Sequence, residues 1–131
     1  MAFGANVTIT NLGKQIITNR MISNVQTLPV FQAIGVGATG ADRTADPTDT
    51  TLSTEVETRQ SANSPTVQTT TTTGDTLQII QTTTTSASRA IDEAMLLDKS
   101  ASGNSFISAT FSPVNLVNGD SIQLTWKLKL Q

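Results

Sequence analysis

The chain contains no histidine and no cysteine. Without histidine it lacks the commonest general base and the commonest metal ligand. Without cysteine it has no thiolate nucleophile, no zinc cluster and no disulfide. Tyrosine is absent too, and the aromatic side chains are four Phe and one Trp. A base-stacking platform or a sugar-binding shelf is hard to build from so few. Charged residues make up only 14%, with a net charge of −2 and a pI near 4.8, which argues against a nucleic-acid partner. The opening residues, MAFGANVTIT, have neither the basic start nor the long apolar stretch of a secretory signal. No apolar run approaches the roughly 20 residues needed to span a bilayer. These gaps lead us to expect a soluble protein with no membrane partner, made in a cytoplasm and held together by packing.

What fills the chain is threonine, 24 residues of 131. Threonine is β-branched and suits a pleated, half-wet surface, so composition leans towards an all-β fold. The length supports a single domain, residues 1–131, around one core.

Residues 5–10 alternate weakly through Val7 and Ile9 and suggest a first strand. Asn11 is placed to cap a helix over 12–21, with Leu12, Ile16, Ile17 and Met21 on one face and Lys14 and Arg20 on the wet side. Residues 31–36 read as a buried strand, with Gly35 and Gly37 allowing close backbone approach. Residues 38–51 have the Gly, Pro, Asp and Thr content of an ordered surface loop, and the pattern re-enters order at Leu52 and Val56. Two Thr-rich strands flank Gly74 and Asp75, the first including Val67 and 69–73 and the second spanning 76–85, as a β-hairpin. A strand over 91–97, a turn over 98–104, and a strand over 106–111 stopped by Pro113 follow. Asn118, Gly119 and Asp120 make a turn.

The final segment carries the clearest pattern. Ile122, Leu124, Trp126, Leu128 and Leu130 alternate with Gln123, Thr125, Lys127, Lys129 and Gln131. Burying each apolar member contributes ~1.5–3 kcal/mol before entropy is counted, so a charge at Leu124 or Trp126 should unfold the domain. The lysine face should lie exposed or at a sheet edge, where it discourages stray strand addition. Six or seven strands and one short N-terminal helix predict a mainly all-β, antiparallel β-sandwich.

Three clusters invite a chemical reading. Asp42, Asp46 and Asp49 share a loop and suggest calcium, but their spacing is not that of an EF-hand and Arg43 lies among them. They read as turn caps. Asp92 and Glu93 are adjacent, so a regular strand sends them to opposite faces, and a glycosidase pair needs both in one cleft. They read as one solvated acid and one salt-bridge partner. The glycines at 35, 37 and 40 evoke a dinucleotide turn, but the following ADRTADPTD is no helix. No catalytic, cofactor-binding or metal residue is assigned, no cofactor is expected, and each carboxylate should tolerate alanine within about 1 kcal/mol.

One resemblance remains. Ile34, Gly35, Gly37, Pro47, Thr50, Leu52, Glu55, Val56 and Arg59 follow a pattern of a hydrophobic strand, G-x-G, an x-P-x-x-T-x-L loop and E-V-x-R. The stretch 90–98, AIDEAMLLD, is similar to a companion segment, I-x-E-x-G-L-[FL]-D, and ISATFSP with the closing strand continues the order. In this the chain resembles small structural proteins of tailed bacteriophages, over most of residues 11–131. Two departures are Ala94, where glycine is usual, and a longer, more polar Thr-rich hairpin. The resemblance implies a non-enzymatic virion protein, made in the host bacterial cytoplasm. Its leading form is a head decoration or cement protein on the outside of the major capsid protein lattice. The alternative is a tail, collar or baseplate component that anchors a tail fibre. With no fibre-like sequence after Gln131, the first is expected. The implied partners are the major capsid protein or tail and collar proteins, and further copies of the chain in a homo-oligomer such as a trimer.

Overall fold

The computed structural model describes residues 6–22, 28–62 and 65–130. In chain order these form β1 (Asn6–Ile9), α1 (Asn11–Ile22), β2 (Phe31–Val36), β3 (Thr54–Ser61), β4 (Thr66–Gln68), β5 (Thr76–Thr84), β6 (Arg89–Leu97), β7 (Ser105–Leu116) and β8 (Ser121–Lys129). The large sheet has the order β1-β7-β6-β2-β3 and the small sheet β4-β5-β8, and the strand pairs are antiparallel. The antiparallel all-β sandwich with one N-terminal helix is therefore the fold, built from eight described strands rather than six or seven. Ala5 and Gln131, assigned above to the first strand and the final alternation, lie outside the described residues.

One core joins the two sheets. Ile34, Ile91, Leu96 and Phe106 from the large sheet meet Ile79, Ile122 and Trp126 from the small one, and Ile16 of α1 joins them. Gln32 is buried at the same seam and crosses it. Its carbonyl oxygen accepts the Trp126 indole N–H at 2.9 Å and its amide donates to Thr83 Oγ1 at 3.0 Å. A buried amide is tolerated here because its partners sit on the opposing sheet.

The helix is capped one residue earlier than expected. Thr10, not Asn11, accepts the Gly13 N–H on its hydroxyl at 2.9 Å, while its carbonyl accepts Lys14 N–H. The same hydroxyl donates to Ser105 O at 2.8 Å, which ties the cap to β7. Gly13 lies so close to the Phe106 backbone that a Cβ would collide with it. Ile16 is buried by this docking, whereas Met21, expected on the same face, is 82% exposed.

Three further strand expectations change. β7 does not stop at Pro113 but continues to Leu116. Ile91 faces Val114 and Glu93 faces Thr110, so three residues of β7 bulge against Asp92 alone. A proline is accommodated in a bulge because no ladder N–H is needed there. Residues 69–73 are not strand either. The Asp75 carboxylate accepts the N–H groups of Thr70, Thr71 and Thr72 at 2.8–3.0 Å and gathers them into the hairpin turn, leaving β4 only three residues long. In β8, Ile122 and Trp126 are buried and Leu124 and Leu128 half-buried, but Leu130 lies past the strand and is 66% exposed.

Candidate interaction surface

The two faces of the large sheet are both covered, so its open surface is confined to its edges. One face packs on the small sheet. Over the other lies the loop at 37–53, burying Ala38, Ala45 and Leu52. Leu52 sits with Ala33, Met95 and Leu97 in a second apolar cluster under this loop. β6 is consequently buried on both sides, which explains its unbroken apolar run over Ala94–Leu97 better than a half-wet strand does.

Charged groups pin the loop. Arg43 reaches Glu93 at 2.9 Å and Asp49 at 2.8 Å, and the Ser108 hydroxyl donates to Asp49 at 2.6 Å. Glu93 is fully buried, and its second oxygen accepts the Thr54 N–H at 3.1 Å. Gly35 makes room, since a Cβ there would lie 2.6 Å from Glu93 Oε1 and 2.8 Å from the Thr54 carbonyl. Asp92 accepts the N–H groups of Ala38 and Thr39 at 3.2 and 2.8 Å, fixing the loop's start.

Glu93 is the expected salt-bridge partner, to Arg43, but Asp92 is not the expected solvated acid. Both are buried and both serve the loop, because the bulge at Asp92 leaves Ile91 and Ala94 in the core with both acids between them. Asp98 is also buried, accepting Asn104 N–H at 2.7 Å. Acids placed like these are not surface groups, and the general tolerance to alanine does not extend to them.

The three loop aspartates have different partners, although the Asp49 carboxylate also accepts the Asp46 N–H at 2.9 Å. Asp49 is paired with Arg43, and Asp42 is exposed at a φ of 52°. Asp46 turns to Thr48, whose hydroxyl and then backbone N–H hold its carboxyl below the ordinary value of 3.8. Among the described residues no group of three His, Cys, Asp or Glu side chains is placed to hold a metal ion. Gly35 and Gly37 serve the turn into the loop, with Gly37 at a φ of 98°. Arg43 was legible only as an intruder among acids; a lone arginine in an acidic loop was the signal that a buried carboxylate awaited it.

Edge strand β3 is braced in the same manner. Val56 and Gln60 flank a bulge whose Glu57 adopts a φ of 62°. That geometry carries its carboxylate across to the backbone N–H of Ser86 and the Arg89 guanidinium, which hold Glu57 below its ordinary value of 4.5. Arg59 pairs with Glu55 and donates to the carbonyls of Lys99 and Ser102.

The surfaces left open belong to the small sheet and the sandwich edges. A groove of about 550 Å³ on the small sheet is lined by Thr66, Gln68, Gln78, Ile80, Thr82 and Gln123, with no titratable group among its walls. A slit of about 360 Å³ opens between edge strands β1 and β8, where Val7, Phe111, Leu124 and Trp126 form apolar walls and Lys127 is the charged member. Val7 is 59% exposed. A third, of about 300 Å³, runs beside α1 past Ile17, Met21 and Leu28. The amide and hydroxyl walls offer hydrogen bonds, and the apolar slits offer surface to bury. No helix among the described residues is long and apolar enough to cross a membrane.

No family model, curated protein or solved structure matches the chain.

Proposed function

We propose that this chain is a non-enzymatic structural protein of a tailed-phage particle, acting as a head decoration or cement protein on the outside of the major capsid protein lattice. The observation that supports this reading is that the two motifs behind the resemblance form one physical unit. Ile34 and Gly35 pair with Ala94 and Glu93 on adjacent strands. Leu52 packs on Met95 and Leu97, the Thr54 N–H bonds Glu93, and Arg59 reaches the turn that follows Asp98. Residues far apart in the chain, from Thr54 and Glu93 to Ile34 and Ala94, thus hold one loop on one sheet, which is what a single structural module would require. A rigid sandwich presenting neutral polar and apolar surfaces suits repeated contact with neighbours, and binding to a lattice adds stability by mass action.

The test is the copy number of this protein per purified particle, by quantitative mass spectrometry against the major shell protein. Abundance comparable with the shell protein is the expected result. A small fraction of it moves the protein to the tail or collar, where similar modules anchor fibres. Absence from the particle overturns the proposal.

A further inference from the structure

Strand β8 is the longer edge of the small sheet, and its Lys127 and Lys129 restrict rather than forbid the strands that can add to it. It pairs with β5 along all nine of its residues and with no described strand on its other side. An edge of that length presents a row of backbone N–H and C=O groups to solvent. Along the same edge runs the apolar slit, where Leu124 and Phe111 are only half-buried within one chain. Edge and slit therefore have the same deficiency: each is completed by one more strand with alternating apolar side chains.

We infer that this strand is the β8 of a second copy, added antiparallel about a two-fold axis through Thr125, so that two small sheets become one six-stranded sheet. Thr125 is the midpoint of Ser121–Lys129, and this register alone pairs every residue of the strand. On the outer face Gln123 lies opposite the partner's Lys127, and Ser121 opposite the partner's Lys129. On the inner face Ile122 meets the partner's Leu128, and Leu124 meets the partner's Trp126. Apolar groups face apolar groups, and each lysine faces an amide or a hydroxyl.

The lysines exclude the nearest alternatives on one side, and full pairing of the strand decides among the rest. Moving the axis to residue 127 or 128 sets lysine against lysine, and so does in-register parallel pairing; like charges directly opposite are destabilising. Lys129 is moreover turned back on its own chain, donating to Thr71 Oγ1 at 2.6 Å, which leaves Lys127 as the charge at the seam. Because the axis is normal to the sheet, both slits lie on one side of the seam and merge into a continuous apolar layer. A single-strand seam is at the small end of stable interfaces, so association is expected at micromolar rather than nanomolar concentration. This inference rests on the edge and its charges and does not depend on where the protein works.

The chain has no cysteine, so one introduced thiol reports the axis directly. Residues facing each other across an antiparallel pair have Cα atoms about 4.5–5.5 Å apart, within disulfide reach. Thr125→Cys, exposed and outside the core, should cross-link to a covalent dimer with diamide as oxidant. Gln123→Cys should not, because its copy in the partner lies about 13 Å further along the strand. Sedimentation of the unmodified chain over a concentration series should show monomer and dimer. Gln123→Glu should tighten the dimer and Gln123→Lys weaken it, each roughly 2- to 30-fold since the altered pair occurs twice. Both shifts should shrink in high salt. A monomer at millimolar concentration, a trimer, equal cross-linking at both positions, or charge variants that shift together would each overturn the inference.

Discussion

Replacing Arg43 with alanine should cost far more than its place in a polar loop suggests. The guanidinium neutralises Glu93, whose side chain is 0% exposed, from a position itself 19% exposed. Once Arg43 is removed, Glu93 keeps a single neutral donor, the Thr54 N–H at 3.1 Å. Leaving one member of a buried pair without its partner costs about 3–5 kcal/mol. Because the vacated space opens to solvent, water relieves part of this, and about 3 kcal/mol is the expected loss. Asp49 adds little, since its carboxylate retains the Ser108 hydroxyl and the Asp46 N–H. Small domains have only ~5–15 kcal/mol in total, so the loss should be plain in urea denaturation followed by Trp126 fluorescence. With a typical slope of about 1–3 kcal/mol per molar urea, the midpoint should fall by roughly 1–3 M. Adding Glu93→Gln to Arg43→Ala removes the stranded charge, keeps an acceptor for Thr54, and should restore more than half of the loss. A loss below about 1 kcal/mol, the scale of exposed pairs, would refute the reasoning. So would a double variant no more stable than Arg43→Ala.

Acid stability and the inter-sheet amide supply two further tests. The N–H groups of Thr72, Thr70 and Thr71 hold the Asp75 carboxyl far below its ordinary value of 3.8, so its contribution is complete above that value and is lost as pH falls through the lowered one. Asp75→Asn should therefore melt below wild type at about pH 7, with the gap closing below about pH 4; a gap unchanged down to about pH 2 would contradict the assignment. Gln32→Leu strands the Trp126 indole N–H and the Thr83 hydroxyl, and should cost about 1–3 kcal/mol. Trp126 is the chain's single tryptophan, so its emission should shift in the folded protein, and unchanged emission with unchanged stability would count against the bridge.

Local pattern was a good guide wherever a segment's own period and its flanking turn residues set its bounds. The span of β2, the alternation of Ile122 through Leu128, and the turns at 98–104 and 118–120 all follow from the chain read alone. So does the helix, to within one residue at its start. In each case the deciding forces act between near neighbours: side-chain period, glycine at positive φ, and a hydroxyl three residues before the amide it caps.

Most of the errors fall where a distant segment decides. Pro113 stays in a strand because Asp92 on β6 supplies the other side of a bulge. The exception is local: threonines 69–73 leave the strand because Asp75 captures the amides of Thr70, Thr71 and Thr72, a competition that β-propensity does not register. Asp92 and Glu93 are buried because a loop some 50 residues earlier folds over them. The sequence by itself determined an all-β domain, most of its strands and the apolar face of each. The order of strands, the covering of the large sheet by its loop, and the exposure of β8 as an edge were decided only in the tertiary structure. Periodicity tells a strand which face to bury, but nothing in it says what arrives to cover the other face or the edge.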